Sequence, residues 1–289
     1  MLESSGEGNV EQFNGREGET VTFIWRYPLN SELRGGGFAP RHLSRYTFRV
    51  SANIRLMRTE LFDERGFDIV DNAFDEQTVD YLASEITRLN FGATAKKRKA
   101  VAFGVRNLLN VAPVVREFSD SDVVRKFIEP ILGEKARVVR AIFFDKTPEA
   151  NWKVPFHQDL TIAVREQKDV DGFTAWTQKA NIFHVQPPDS VLENIVSLRV
   201  HLDNTDESNG ALRVVVGSHR FGRLSVADIQ RVKAEGEILT CRVGKGGAML
   251  MRPLLLHASS AATNALHRRV LHFEFSALEL PADLQWFGS

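Results

Sequence analysis

The stretch 247-GAMLMRPLLLHASSAATNALHRRVLHFEF-275 holds two apolar runs that read as strands, joined by a turn of small and polar residues. His257 closes the first run, and Arg268 opens the second eleven residues later. A hairpin of that span would set an arginine on one strand beside an imidazole on the other. The fold class follows from how often such runs recur. FHQDLTIAV, NIVSLRVHLD, GALRVVVGS and ILTCRV are further short β-like runs between residues 151 and 280, parted by NTDESNG, GSH and GKGG. Many short strands with turn signals between them indicate a sandwich or barrel, interrupted by one helix over SVADIQRVKAEG.

Upstream, residues 57 to 150 are mixed, so the chain reads as mainly β with flanking helices. In EQTVDYLASEITRLN, Val79, Leu82, Ile86 and Leu89 recur at helical spacing, with Asp75 as N-cap. A second helix covers DSDVVRKFIEPIL, with Ser119 or Asp120 at its cap and Gly133 just past its end. ARVVRAIFFDK then reads as a strand. Residues 1–56 lack a clear amphipathic period and are expected to be an N-terminal extension, disordered or loosely docked, ahead of a domain over 57–289. Met57 opens the first well-patterned stretch and is an alternative start.

Lys plus Arg equals Asp plus Glu at 37 each, so no overall field favours nucleic acid or an anionic membrane. No apolar run approaches the roughly 20 residues of a membrane span. The single Cys241 cannot form an internal disulfide, and the N-terminus lacks the pattern of a signal peptide. A soluble, cytoplasmic protein is expected. GKGG at 244–247 lacks phosphate-loop spacing and reads as a turn, as do Asn209-Gly210 and Gly217-Ser218.

The chemistry is concentrated in 155-PFHQDLT-161. Residues i and i+2 of a strand share a face, so His157 and Asp159 aim together while Gln158 turns away. An imidazole and a carboxylate suit a divalent transition metal, and a second imidazole would complete a facial triad with open positions. A guanidinium nearby would offer a fork for a carboxylate.

HQD at 157–159, LDNTDESNGALRVVVGSH at 202–219, and His257-Ala-Ser259 followed by Arg268 together resemble the phytanoyl-CoA dioxygenase family of Fe(II)/2-oxoglutarate-dependent oxygenases. The resemblance spans about residues 60–280. It implies a double-stranded β-helix, a cupin-like jelly-roll. It also implies that His157, Asp159 and His257 ligate Fe(II), and that Arg268 grips the distal carboxylate of 2-oxoglutarate with support from Ser259. Lys146 would lie near the cosubstrate, and Ile142 would pack on it. With O2, such an enzyme converts 2-oxoglutarate to succinate and CO2 while oxidising an unactivated C–H of a small molecule. Related halogenases lack the carboxylate ligand, so Asp159 implies hydroxylation.

Arg199 stands where the family commonly has tryptophan. It reads either as a charge that meets an anionic substrate or as a strand residue that faces solvent or pairs with an acid. His184 and Gln186 lie on the insertion after the HxD strand, where a lid or substrate role is expected from position. His201, His219, His267 and His272 read as structural. Two alternatives stay open: a non-catalytic metal- or ligand-binding module on the same fold, and a zinc hydrolase that would leave Arg268 without a role. Substrate identity and oligomeric state are not set by the sequence.

Overall fold

The computed structural model describes residues 47–50, 59–89, 95–98, 101–148, 150–264 and 267–288. Most of the 1–56 stretch, and Met57 with it, lies outside these described residues. Residues Arg49–Ser289 form one compact unit. Within it, Val50 bridges to Phe74, and the Arg49 amide donates to Thr78 Oγ1 at 3.0 Å. Among the described residues no helix is long and apolar enough to cross a membrane.

Two antiparallel sheets carry the site. The larger one runs β1 (Phe67–Val70), β12 (Ala248–Met251), β9 (Ile195–His201), β14 (Arg268–Ser276), β4 (Arg137–Lys146), β3 (Val101–Val105) and β2 (Ala95–Arg98). The smaller one runs β11 (Ile238–Cys241), β10 (Leu212–Val215), β13 (His257–Ser259) and β5 (Val154–His157). A three-stranded sheet, β6 (Ile162–Val164), β8 (Ile182–Gln186) and β7 (Thr174–Lys179), is inserted after β5. Two packed antiparallel sheets with crossing connections make a jelly-roll.

Helices α1 (Thr59–Arg65), α2 (Glu76–Arg88), α3 (Leu108–Val111), α4 (Pro113–Ser119) and α5 (Asp122–Leu132) precede β4, and α6 (Asp189–Glu193) and α7 (Val226–Glu235) follow later. The outer face of β14 meets this helical layer through aromatics. Phe273 lies 6.0 Å from Phe118, and Phe74 lies 5.1 Å from Phe118 and 5.6 Å from Phe127. On the small sheet, Val232 and Ile229 of α7 pack over Val215, Leu256 and Phe156. These apolar contacts leave the facing inner surfaces of the two sheets to other work.

Local signals mostly held. Asp75 caps α2, its carboxylate accepting from the Thr78 amide at 2.8 Å. Gly133 ends α5 at φ 77°, a left-handed value that favours glycine. The residue before α5 is Ser121, because Ser119 ends the separate helix α4.

Two strand readings need correction. FHQDLTIAV is two strands in different sheets, β5 and β6, broken at Gln158–Thr161. GAMLMRPLLLHA is likewise split, β12 lying in the large sheet and β13 in the small one. The expected hairpin between the His257 run and the Arg268 run is therefore not formed. β13 pairs with β10 and β5, whereas β14 pairs with β4 and β9. The connection crosses from one sheet to the other, so the arginine and the histidine sit on different sheets.

Candidate active site

His157 and His257 are direct cross-strand partners, with ring centroids 4.3 Å apart. Each ring is oriented by backbone. His157 Nδ1 lies 2.9 Å from Pro155 O and 3.0 Å from His257 O, and His257 Nδ1 lies 2.8 Å from Leu255 O. A carbonyl can only accept, so each Nδ1 carries the proton and each Nε2 presents a lone pair. Asp159 completes the group, with His157 Nε2 3.8 Å from Oδ1 and His257 Nε2 3.7 Å from Oδ2. The candidate ligand atoms of these residues all lie within 4.8 Å of one another. Two imidazole nitrogens and a carboxylate at that spacing match the donor set and size of a mononuclear metal site.

The turn after β5 is clamped from both sides. The Asp159 amide donates to Pro253 O at 2.9 Å. Gln158, turned away as expected, donates to Gly222 O and Leu254 O at 2.8 and 2.7 Å and accepts from the Leu224 amide at 2.8 Å. Burial acts to raise the Asp159 carboxyl, but His257, His272, His157 and Arg140 outweigh it and hold it below its ordinary value. Burial pushes His257 down to about 4, which keeps its ring neutral and able to donate a lone pair.

The inner face of the large sheet is buried yet polar. In register, Arg268 faces Lys146 on β4, and His272 faces Ile142 on β4 and Arg199 on β9. Lys146, Arg199 and Arg268 expose 1%, 6% and 3% of their surface, and none makes an ion pair among the described residues. Nε and Nη1 of Arg268 are buried with no hydrogen-bond partner, as is Nε of Arg199. Burial, then the Arg199 charge, lowers Arg268 to about 9. Burial, then Arg268 and Arg199, lowers Lys146 to about 7. Three crowded cations with unused donors describe a receptor for a dianion.

Ser259, two residues past His257, donates to Gly210 O at 2.8 Å and accepts from Lys146 Nζ at 2.7 Å. Lys146 Nζ also donates to Ser260 O at 2.5 Å. Gly210 has φ 82°, and a Cβ there would meet Ser260 O at 2.6 Å and Lys146 Nζ at 2.8 Å. Only glycine fits a left-handed turn pressed this closely on the lysine.

The phytanoyl-CoA dioxygenase (PhyH) family matches residues 62–270. The chain belongs to that family. It is an Fe(II)- and 2-oxoglutarate-dependent dioxygenase that uses O2. Solved structures of similar fold include EctD from S. alaskensis in its apo form, at 15% identity and TM-score 0.60 over 80% of this chain and 83% of that one. AviO1 from Streptomyces viridochromogenes Tue57 shares 19% identity at TM-score 0.56, covering 79% of this chain and 97% of that one. HygX from Streptomyces hygroscopicus, solved with nickel and 2-oxoglutarate bound, shares 18% at TM-score 0.53 over 76% and 87%. No curated protein matches the chain in sequence.

The structure of this PhyH-family member gathers the residues singled out from sequence into two groups. His157, Asp159 and His257 converge, and Arg268, Lys146, Ser259 and Arg199 form the second group; Ile142 lies on β4 opposite His272. Arg199 does not face solvent: its Nη1 donates to His272 Nδ1 at 3.1 Å and its guanidinium lies 5.9 Å from the Phe144 ring centre. His184 is buried in β8.

From sequence, His272 reads only as structural, and Glu274 and Arg140 are given no role. They form a connected wall: His272 Nε2 lies 3.5 Å from Glu274 Oε1, and Arg140 Nη1 donates to that same oxygen at 3.0 Å. The signal was there in RRVLHFEFS, where Arg268, His272 and Glu274 recur on the face opposite Leu271, Phe273 and Phe275.

Proposed function

We propose that His157, Asp159 and His257 hold Fe(II) through two Nε2 atoms and a carboxylate oxygen, and that Arg268 takes the distal carboxylate of 2-oxoglutarate. Lys146 and Arg199 add charge behind it, Ser259 fixes Lys146, and Ile142 supplies an apolar surface. The reaction is hydroxylation of an unactivated C–H on a small, anionic organic molecule. 2-Oxoglutarate leaves as succinate and CO2, one oxygen atom of O2 going to succinate and the other to the new hydroxyl. The single, buried Cys241, its thiol pushed up to about 12 by burial, suits a reducing, cytoplasmic setting.

The observation that carries this reading is the unpaired fork of Arg268 beside two further buried cations, together with three convergent ligands. A hydrolytic metal site would have no use for that charge. Iron with its cosubstrate supplies the oxidising chemistry when bound. The chain supplies placement: backbone carbonyls fix both imidazoles, and Gln158 fixes the turn between His157 and Asp159.

Anaerobic addition of Fe(II) and then 2-oxoglutarate tests the assignment, since the chelate gives a weak visible charge-transfer band. The expected result is a band in the native protein and none in Asp159→Ala. A band of equal strength in that variant would sink the assignment. A metabolite screen read by succinate formation then identifies the substrate.

A further inference from the structure

The inner wall has a second cationic end. Arg140 lies six residues before Lys146 on β4, which at about 3.3 Å per residue puts the two about 20 Å apart. Arg140 Nη1 lies 3.4 Å from Thr161 O, two residues past Asp159, so Arg140 flanks the loop that carries the triad carboxylate, towards the opposite end of β4 from Lys146. Its Nη1 donates to Glu274 Oε1 at 3.0 Å and to Thr161 O at 3.4 Å, and its Nη2 lies 3.5 Å from His184 Nε2. His184 Nδ1 lies 3.0 Å from Ile182 O, so that nitrogen carries the proton and Nε2 accepts. Burial, then Arg140, holds His184 at about 4, leaving the ring a neutral prop for the guanidinium. Nε of Arg140 remains buried with no partner.

Arg106 stands beside it. β3 pairs with β4 through Gly104↔Phe144 and Val105↔Phe143, and Arg106 follows directly at the bend that ends β3, close enough to Arg140 for the two charges to act on each other. It is half-buried, and among the described residues it has no hydrogen-bond or ion-pair partner. Burial and the Arg140 charge both depress its guanidinium. Glu274 neutralises Arg140, and Lys179, exposed at the end of β7, also acts on His184, so the half-buried charge left at this end is that of Arg106. A single carboxylate balances it, whereas a phosphate dianion would leave an excess of negative charge.

The geometry points to Arg106 and Arg140 as the subsite that anchors a carboxylate of the substrate, towards the opposite end of β4 from Lys146. This rests on the reading of the triad and Arg268 given above and names the substrate class: a small carboxylic acid oxidised at a carbon remote from its acid group. The anchor holds one end of the molecule, so the carbon presented to the metal is set by distance along its chain.

Fluorine NMR tests the subsite without turnover. Full-length protein is loaded anaerobically with Fe(II) and saturating 2-oxoglutarate, and the visible chelate band is recorded first. Difluoroacetate is then titrated, with difluoroacetamide as its neutral counterpart. The acid is expected to show saturable paramagnetic broadening in the millimolar range, and the amide none. Arg106→Gln should weaken the acid by roughly tenfold or more, and Arg106→Lys should recover most of the loss. No saturable broadening, equal broadening of the amide, or unchanged affinity in Arg106→Gln overturns the proposal while leaving the iron site intact. Failure of the chelate band to form defeats the iron-site reading and this proposal with it.

Discussion

The triad and the cationic wall are both polar, yet the protein treats them in opposite ways, with His157 and Asp159 partly exposed and the wall's cations buried. On the small sheet, every spare imidazole hydrogen is spoken for by a backbone carbonyl, and the intervening Gln158 is fully hydrogen-bonded. On the large sheet, Arg268, Arg199 and Arg140 each keep a buried Nε with no partner. The first region is pre-organised for something that needs lone pairs at fixed points. The second is under-satisfied and gains its missing partners only from a ligand.

That contrast can be broken most severely at the triad. Asp159→Ala removes an oxygen donor that no neighbour replaces, and iron-dependent succinate formation should fall by more than roughly 10³-fold. Residual activity within a few-fold of native would mean that the metal sits elsewhere. Arg268→Ala acts on the other region. It should weaken 2-oxoglutarate by roughly 10²-fold, measured by titrating the chelate band, because two charge-assisted hydrogen bonds are lost. An unchanged affinity would move the cosubstrate to Lys146 and Arg199.

The clamp behind the triad should matter less. Gln158→Ala leaves two carbonyls and an amide unpaired in a buried turn and should cost about 2–3 kcal/mol of stability, read from the urea midpoint. A loss near zero would show that the turn is held by Asp159 and Pro253 alone.

The smallest effect is a pH dependence. Lys146 has its folded value lowered to about 7, so in the ligand-free protein it is charged below that pH and neutral above it. A bound dianion favours the charged form and raises the value. Binding above pH 7 must therefore take up a proton, and 2-oxoglutarate affinity should fall with rising pH by up to about tenfold per unit. Below that point the slope should vanish. Lys146→Met should flatten the profile; a native profile already flat from pH 7 to 9 would remove Lys146 from the cosubstrate site.

Legibility followed distance along the chain. HxD was readable because two of the three candidate ligands lie within three consecutive residues, and the Asp75 cap because its acceptor and donor are three residues apart. No hairpin joins the strands of His257 and Arg268, which belong to different sheets. Arg268 is aligned instead by Lys146, more than a hundred residues upstream, because β14 is laid between β4 and β9.

The residue types, their short spacings and the alternation of polar and apolar side chains on β14 were fixed by the chain alone, since period-two geometry is a local property of an extended backbone. Which polar face is left unpaired was decided only by the tertiary structure. Arg199 meets His272 across 73 residues, and Arg140 meets Glu274 across 134. Those contacts exist only once strand register is set, and register is chosen by apolar packing on the outer faces rather than by the charges within.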